Sequence, residues 1–204
     1  MLATTPITIQ GVVEGSLDEV VLRHLIFYVH AVPGTIYGKQ GKQHLLKRLH
    51  AYNQAARLSP WAVLLDLDQD DDCAPPFLTR LLPQPMPRMC CRVAIRAIEA
   101  WLIADRQHLA RFLNVAVAKI PQNPESLLHP KQEMVNLARQ SRRRDIYEDM
   151  VPRPSGGRSV GPAYASRLIE FVEAGTNGWR PEVATQHSDS LARCLRCLRR
   201  LTEI

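Results

Sequence analysis

WAVLLDLDQDDD, residues 61–72, is the stretch whose reading decides the fold. Ala62 to Leu65 form an apolar run that leads directly into Asp66, Asp68, Asp70, Asp71 and Asp72. Pro60 precedes the run and Pro75–Pro76 follow it, so it reads as a short buried strand. Side chains alternate across a strand, which puts Asp66 and Asp68 on one face if the strand persists that far. Carboxylates a few ångströms apart repel strongly unless a proton or a cation lies between them. Mg²⁺ takes hard oxygen ligands from one or two carboxylates plus water and phosphate, and resolves the problem simply. The plainer reading is an acidic, solvated loop. The acids begin inside the apolar run, at the expected C-terminal end of a strand, where open α/β sheets build their sites. That position favours the cation.

Working outward, residues 6–13 carry the β-branched Ile7, Thr8, Ile9, Val12 and Val13 and predict a first strand ending at Glu14-Gly15. Ser16-Leu17-Asp18-Glu19 fits the capping box S-x-x-E, and a helix is expected over 17–28. Strand, tight turn and helix begin a parallel α/β sheet. A second strand is expected over 31–37, a helix over 43–57, a short helix over 76–82 and a fourth strand over 89–95. Residues 97–104 (AIEAWLIA) read as a helix whose sole charge is Glu99. Beyond residue 113, Pro121, Pro124 and Pro130 punctuate a linker, and helices are expected over 131–143, 163–174 and 188–201. The division expected is an α/β core over 1–112, with about four mostly parallel strands flanked by helices, and a helical C-terminal extension over 113–204.

The totals are compatible with this. The chain has 204 residues, 46% of them hydrophobic, enough for a core without staples. A net charge of +6 beside a concentrated acidic cluster points to an anionic partner, with nucleic acid the obvious candidate. A merely basic protein is the alternative. Five cysteines, an odd number, with Cys90 and Cys91 adjacent and no secretory leader pattern, predict reduced thiols and a cytoplasmic location. Cys194-x-x-Cys197 lies in a helical pattern without a second pair and reads as core. No run approaches the ~20 apolar residues that span a bilayer, so no membrane partner is expected.

Three acidic positions line up in order: Glu14 after the first strand, Asp66/Asp68/Asp70 after the third, Glu99 after the fourth. In a parallel sheet they would share one edge and hold one or two divalent ions against a phosphodiester. The order resembles the TOPRIM superfamily, whose marks are a strand ending in glutamate and a later strand ending in D-x-D. Here these stand as VVEG (Val12, Val13, Glu14, Gly15) and LLDLDQD, ending in Asp70. The E-x-x-x-D spacing of Glu14 and Asp18 is similar to the nuclease branch related to the OLD (overcoming lysogenization defect) proteins. Arg92 to Asp105 (RVAIRAIEAWLIAD), His129-Pro130-Lys131 and the cysteine-containing last helix are similar to small stand-alone TOPRIM-like proteins of prokaryotes. Some of those accompany an ATPase in phage defence. The resemblance implies a Rossmann-like core and a Mg²⁺- or Mn²⁺-dependent nuclease of DNA or RNA. It implies Glu14 as general acid/base or ligand, and Asp66 and Asp68 as ligands. Asp70 and Asp18 would be further ligands, Glu99 a ligand to a second metal, and Lys131 a neutraliser of transition-state charge. An inactive TOPRIM-like binding or scaffold protein is the alternative. Plainer readings are a buried helix glutamate for Glu99 and a helix N-terminal lysine for Lys131.

Gly34-x-x-x-Gly38-Lys39 lacks the spacing and the Ser/Thr of a phosphate loop, so ATP binding is not expected there and an ATPase would be a separate partner. Lys39 and Lys42 in the glycine loop, and Arg142, Arg143 and Arg144, are candidates for nucleic-acid backbone contact or a solvated basic surface. A haloacid-dehalogenase-like phosphatase also uses D-x-D, but on its first strand, whereas here a strand and a glutamate come first.

Overall fold

A computed structural model of the protein describes residues 6–71, 73–154 and 157–203. It is an α/β protein with four parallel strands: β1 (Thr8–Val13), β2 (Val32–Gly38), β3 (Trp61–Asp66) and β4 (Met89–Ala94). The helices are α1 (Ser16–Tyr28), α2 (Lys42–Ala55), α3 (Ala74–Leu81), α4 (Ile98–Ala104), α5 (Arg106–Leu113), α6 (Pro130–Arg139), α7 (Arg144–Met150), α8 (Tyr164–Glu173), α9 (Pro181–Ala184) and α10 (Asp189–Thr202). Two compact units result: residues 1–94 with 192–204, and residues 95–191. Among the described residues no helix is long and apolar enough to cross a membrane.

In the first unit the strand order is β2-β1-β3-β4. β3 is interior, and Trp61 to Leu65 are all buried, as expected of a strand covered on both faces. β2 lies at an edge and is largely exposed, with Pro33 and Gly34 interrupting its run. From β1 the chain steps one way to β2, then crosses back to β3. Right-handed crossovers put α1 and α2 on opposite faces when the direction reverses. The reversal opens a crevice at the carboxyl ends of β1 and β3, the switch point of an open α/β sheet.

Local details depart from the sequence pattern in two places. α1 starts one residue early, with Gly15 as its N-cap and no side-chain cap, so the capping box at Ser16 and Glu19 does not form. Glu19 turns instead to Arg23 and Lys39, at 2.9 Å from each. β3 ends at Asp66, with Leu67 N–H donating to Ala94 as the last rung. Asp68 has φ +52°, so strand alternation does not relate it to Asp66.

The second unit is built on α4, every residue of which is buried, consistent with a helix that is apolar all round. Trp101 Nε1 donates to Ser190 Oγ at 2.7 Å, and Trp179 Nε1 to the Trp101 carbonyl at 2.9 Å. Asp105, fully buried, caps α5 and accepts from the Arg180 amide and two guanidinium nitrogens at 2.7–3.0 Å. The proline-punctuated stretch after α5 is tightened by two single turns of 3₁₀ helix, Val117–Lys119 and Pro124–Ser126.

Candidate functional site

Glu14 leaves the end of β1, and its carboxylate reaches across the crevice. Oε1 accepts the backbone N–H of Asp66, at the end of β3, at 2.9 Å. Burial pushes the Glu14 carboxyl up from 4.5 to about 7. The Asp66 amide and the Lys42 charge oppose that rise, while the charges of Asp18 and Asp68 add to it. Asp18 is buried in the first turn of α1, its Oδ2 folded over Gly15 so that a Cβ there would stand 3.0 Å away. Glu14 therefore feels the charges of Asp18 and Asp68 while the Asp66 amide holds it, all within the first unit.

The basic loop supplies the opposing charge. Gly38 ends β2 at φ +92°, and a Cβ there would lie 2.2 Å from the Val13 carbonyl, so only glycine fits. Lys39 N–H donates to that carbonyl at 2.9 Å and Gly41 N–H to the Glu14 carbonyl at 3.0 Å. The loop is thus laced to the end of β1, and Lys42, the first residue of α2, enters the acidic cluster. Its ammonium donates to Asp68 at 2.6 Å and to Asp70 at 2.8 Å. Burial lowers the Lys42 pKa, but the bonds to Asp68 and Asp70 and the nearby Glu14 outweigh it and hold the group above its ordinary value. Asp71 turns to Arg80 and to the Cys73 amide. Asp72 lies outside the described residues.

Among the described residues no group of three His, Cys, Asp or Glu side chains is arranged to hold a metal ion. The donor set nevertheless suits a hard cation, being all carboxylate oxygen at two strand ends. Asp68 and Asp70 already converge on a cation, the Lys42 ammonium, and a divalent ion there would have to displace it. Sequence reasoning placed Lys42 among nucleic-acid contacts and missed this role. The role depends on the path of the glycine loop beside β1 in the strand order β2-β1-β3, which the sequence does not show.

Glu99, in α4 of the second unit, is 2% exposed. Its Oε1 accepts from Tyr164 at 3.1 Å, and Lys131 Nζ lies 3.9 Å away. Glu99 and Lys131 are thus brought together with Tyr164. Lys39 pairs with Glu19. Arg143 pairs with Asp145 and stands over the Phe112 ring, 6.0 Å from its centroid. Arg144 pairs with Glu148 at 2.7 Å on an exposed turn, and Arg142 is exposed. No known protein family model, curated protein or solved structure matches this chain.

Proposed function

We propose that the carboxylate cluster at the switch point binds Mg²⁺ or Mn²⁺ and that the protein is a TOPRIM-like nuclease hydrolysing phosphodiesters of DNA or RNA. The observation that carries this reading is the bridge from Glu14 to Asp66 across the crevice, with the Glu14 pKa at about 7. A general acid/base works best when its pKa lies near the working pH, and ordinary glutamates are far from that. Asp66, Asp68 and Asp70 would hold the ion, with Asp18 beside them. When bound, such an ion lowers the pKa of water and neutralises charge on a phosphate.

The chain's own residues then have defined tasks. Glu14, half protonated near neutrality, takes or returns one proton at its free carboxylate oxygen while the Asp66 amide fixes its other oxygen. Lys42 holds Asp68 and Asp70 together, and with a cation held by those aspartates its ammonium would be free to meet a phosphate oxygen. In the second unit Lys131 and Glu99 form a separate charged pair. A nucleic-acid partner fits the basic excess, and an ATPase in a phage-defence setting belongs to the same proposal.

The Lys42 bonds favour a second reading, an inactive scaffold or binding module. A permanent internal ammonium satisfies Asp68 and Asp70 without any metal. The test is cleavage of plasmid, single-stranded DNA and RNA with Mg²⁺ or Mn²⁺, comparing wild type with Glu14→Gln and Asp68→Asn. Metal-dependent cleavage lost in both variants supports the nuclease. Cleavage that persists in both sinks it, and no cleavage of any substrate by wild type favours the scaffold.

A further inference from the structure

Two cysteines from distant parts of the chain meet in the first unit, Cys90 of β4 and Cys197 of α10. The Cys90 thiol donates a hydrogen bond to the Cys197 sulfur. That sulfur also accepts from the Arg92 guanidinium and, at 3.8 Å, from Arg200 Nη2. A buried structural cysteine behaves as a small hydrophobe, and its neutral thiol is only a weak acceptor. Three donors on one sulfur, two of them cationic, suit a thiolate instead.

The surrounding thiols divide into reactive and inert ones. Burial pushes Cys91 and Cys194 up to about 12, so both keep their protons. Burial also raises Cys90, which therefore remains the donor of the pair. The bond from Cys90 holds Cys197 below its ordinary range; burial opposes this, and the charges of Arg92 and Arg200 add to it. Cys197 is only 5% exposed, yet it borders a cavity of about 330 Å³ with Arg92 and Arg200. It also borders one of about 250 Å³ against Leu78, Leu82 and Met89. Either volume admits a molecule little larger than water.

We propose that Cys197 is a thiol reactive toward hydrogen peroxide and Cys90 its resolving partner, the pair closing a reversible disulfide between α10 and β4. The Cys197 thiolate attacks one peroxide oxygen. An S–O bond forms, the O–O bond breaks, and hydroxide leaves and takes a proton from solvent. The Cys90 sulfur then attacks the sulfenic sulfur. The S–S bond forms, the S–O bond breaks, and hydroxide leaves as water with the Cys90 proton. Two thiols lose two electrons, and the peroxide becomes two waters. Arg92 and Arg200 are positioning residues that keep the sulfur ionised. The site uses neither Glu14 nor the aspartates, so it stands whether or not the carboxylate cluster is catalytic.

The test is treatment of the full chain with a slight excess of hydrogen peroxide at pH 7, followed by thiol blocking and a non-reducing tryptic map. The expected product has lost two hydrogens, with peptide Met89–Arg92 joined to Cys197–Arg199, and dithiothreitol reverses it. Fragmentation places the bridge at Cys90, and Cys91→Ala retains it. In Cys90→Ala the sulfenic acid persists and dimedone labels Cys197. Arg200→Gln slows bridge formation by roughly 2- to 10-fold, the loss of thiolate when one neighbouring cation is gone. The wild-type map decides the matter even where a variant fails to fold. Oxidation confined to the exposed Cys73 overturns the proposal. So does a bridge to Cys91 or Cys194, a bridge that forms as fast in urea, or a rate unchanged in Arg200→Gln.

Discussion

Replacing Glu14 with glutamine isolates the electrostatic strain at the switch point. The amide oxygen still accepts the Asp66 N–H, so the bridge survives and the charge is removed. Below pH 4.5 the carboxyl is protonated in both folded and unfolded chains and contributes no difference. Between 4.5 and about 7 the unfolded chain ionises while the folded chain keeps its proton. The folded state then binds more protons, and stability falls as pH rises. Above about 7 the cost is complete. A carboxyl moved from 4.5 to about 7 costs about 3.4 kcal/mol at about 1.36 kcal/mol per pH unit. The side chain is partly open to solvent, and screening reduces this to about 2 kcal/mol. Urea unfolding followed by circular dichroism should therefore show Glu14→Gln near wild type at pH 4 and about 2 kcal/mol more stable at pH 8. Parallel stability curves across that range would refute the reasoning.

Gly38→Ala should cost about 3 kcal/mol or more, because a left-handed φ and a clash with the Val13 carbonyl add together, whereas Gly41→Ala, with φ +83° but open space, should cost about 1 kcal/mol; thermal melts of the two separate the terms. Asp105→Ala should destabilise the second unit by about 1–3 kcal/mol by removing the cap of α5 and the acceptor of the Arg180 amide, and hydrogen exchange across α5 reads it. Lys42→Met should raise Mn²⁺ affinity by up to about 5-fold, since an internal competitor worth up to about 1 kcal/mol is gone. A lower affinity in the Lys42 variant would mean that the ammonium does not occupy the cation position.

Periodicity in the sequence was enough for the four strands, because β1 and β3 are apolar runs bounded by turn residues, and for the parallel arrangement, because helices intervene. The end of β3 was not legible: Asp66 and Asp68 both suit an alternating pattern, and only the left-handed turn at Asp68 separates them. Glu14 and Asp66 were legible as neighbours because parallel strands end on one edge. The Lys42 bonds were not, since they depend on a loop path set by Gly38 and Gly41. Repulsion among the aspartates is visible in sequence, while the ammonium that offsets it comes from a residue 26 positions away.

The central claim, a cation site at the switch point, is tested most directly by calorimetric titration of Mn²⁺ into the metal-free protein beside Asp66→Ala/Asp68→Ala. Saturable binding in wild type that disappears in the double variant is the predicted result. No binding at millimolar Mn²⁺, or equal binding in both proteins, would contradict it.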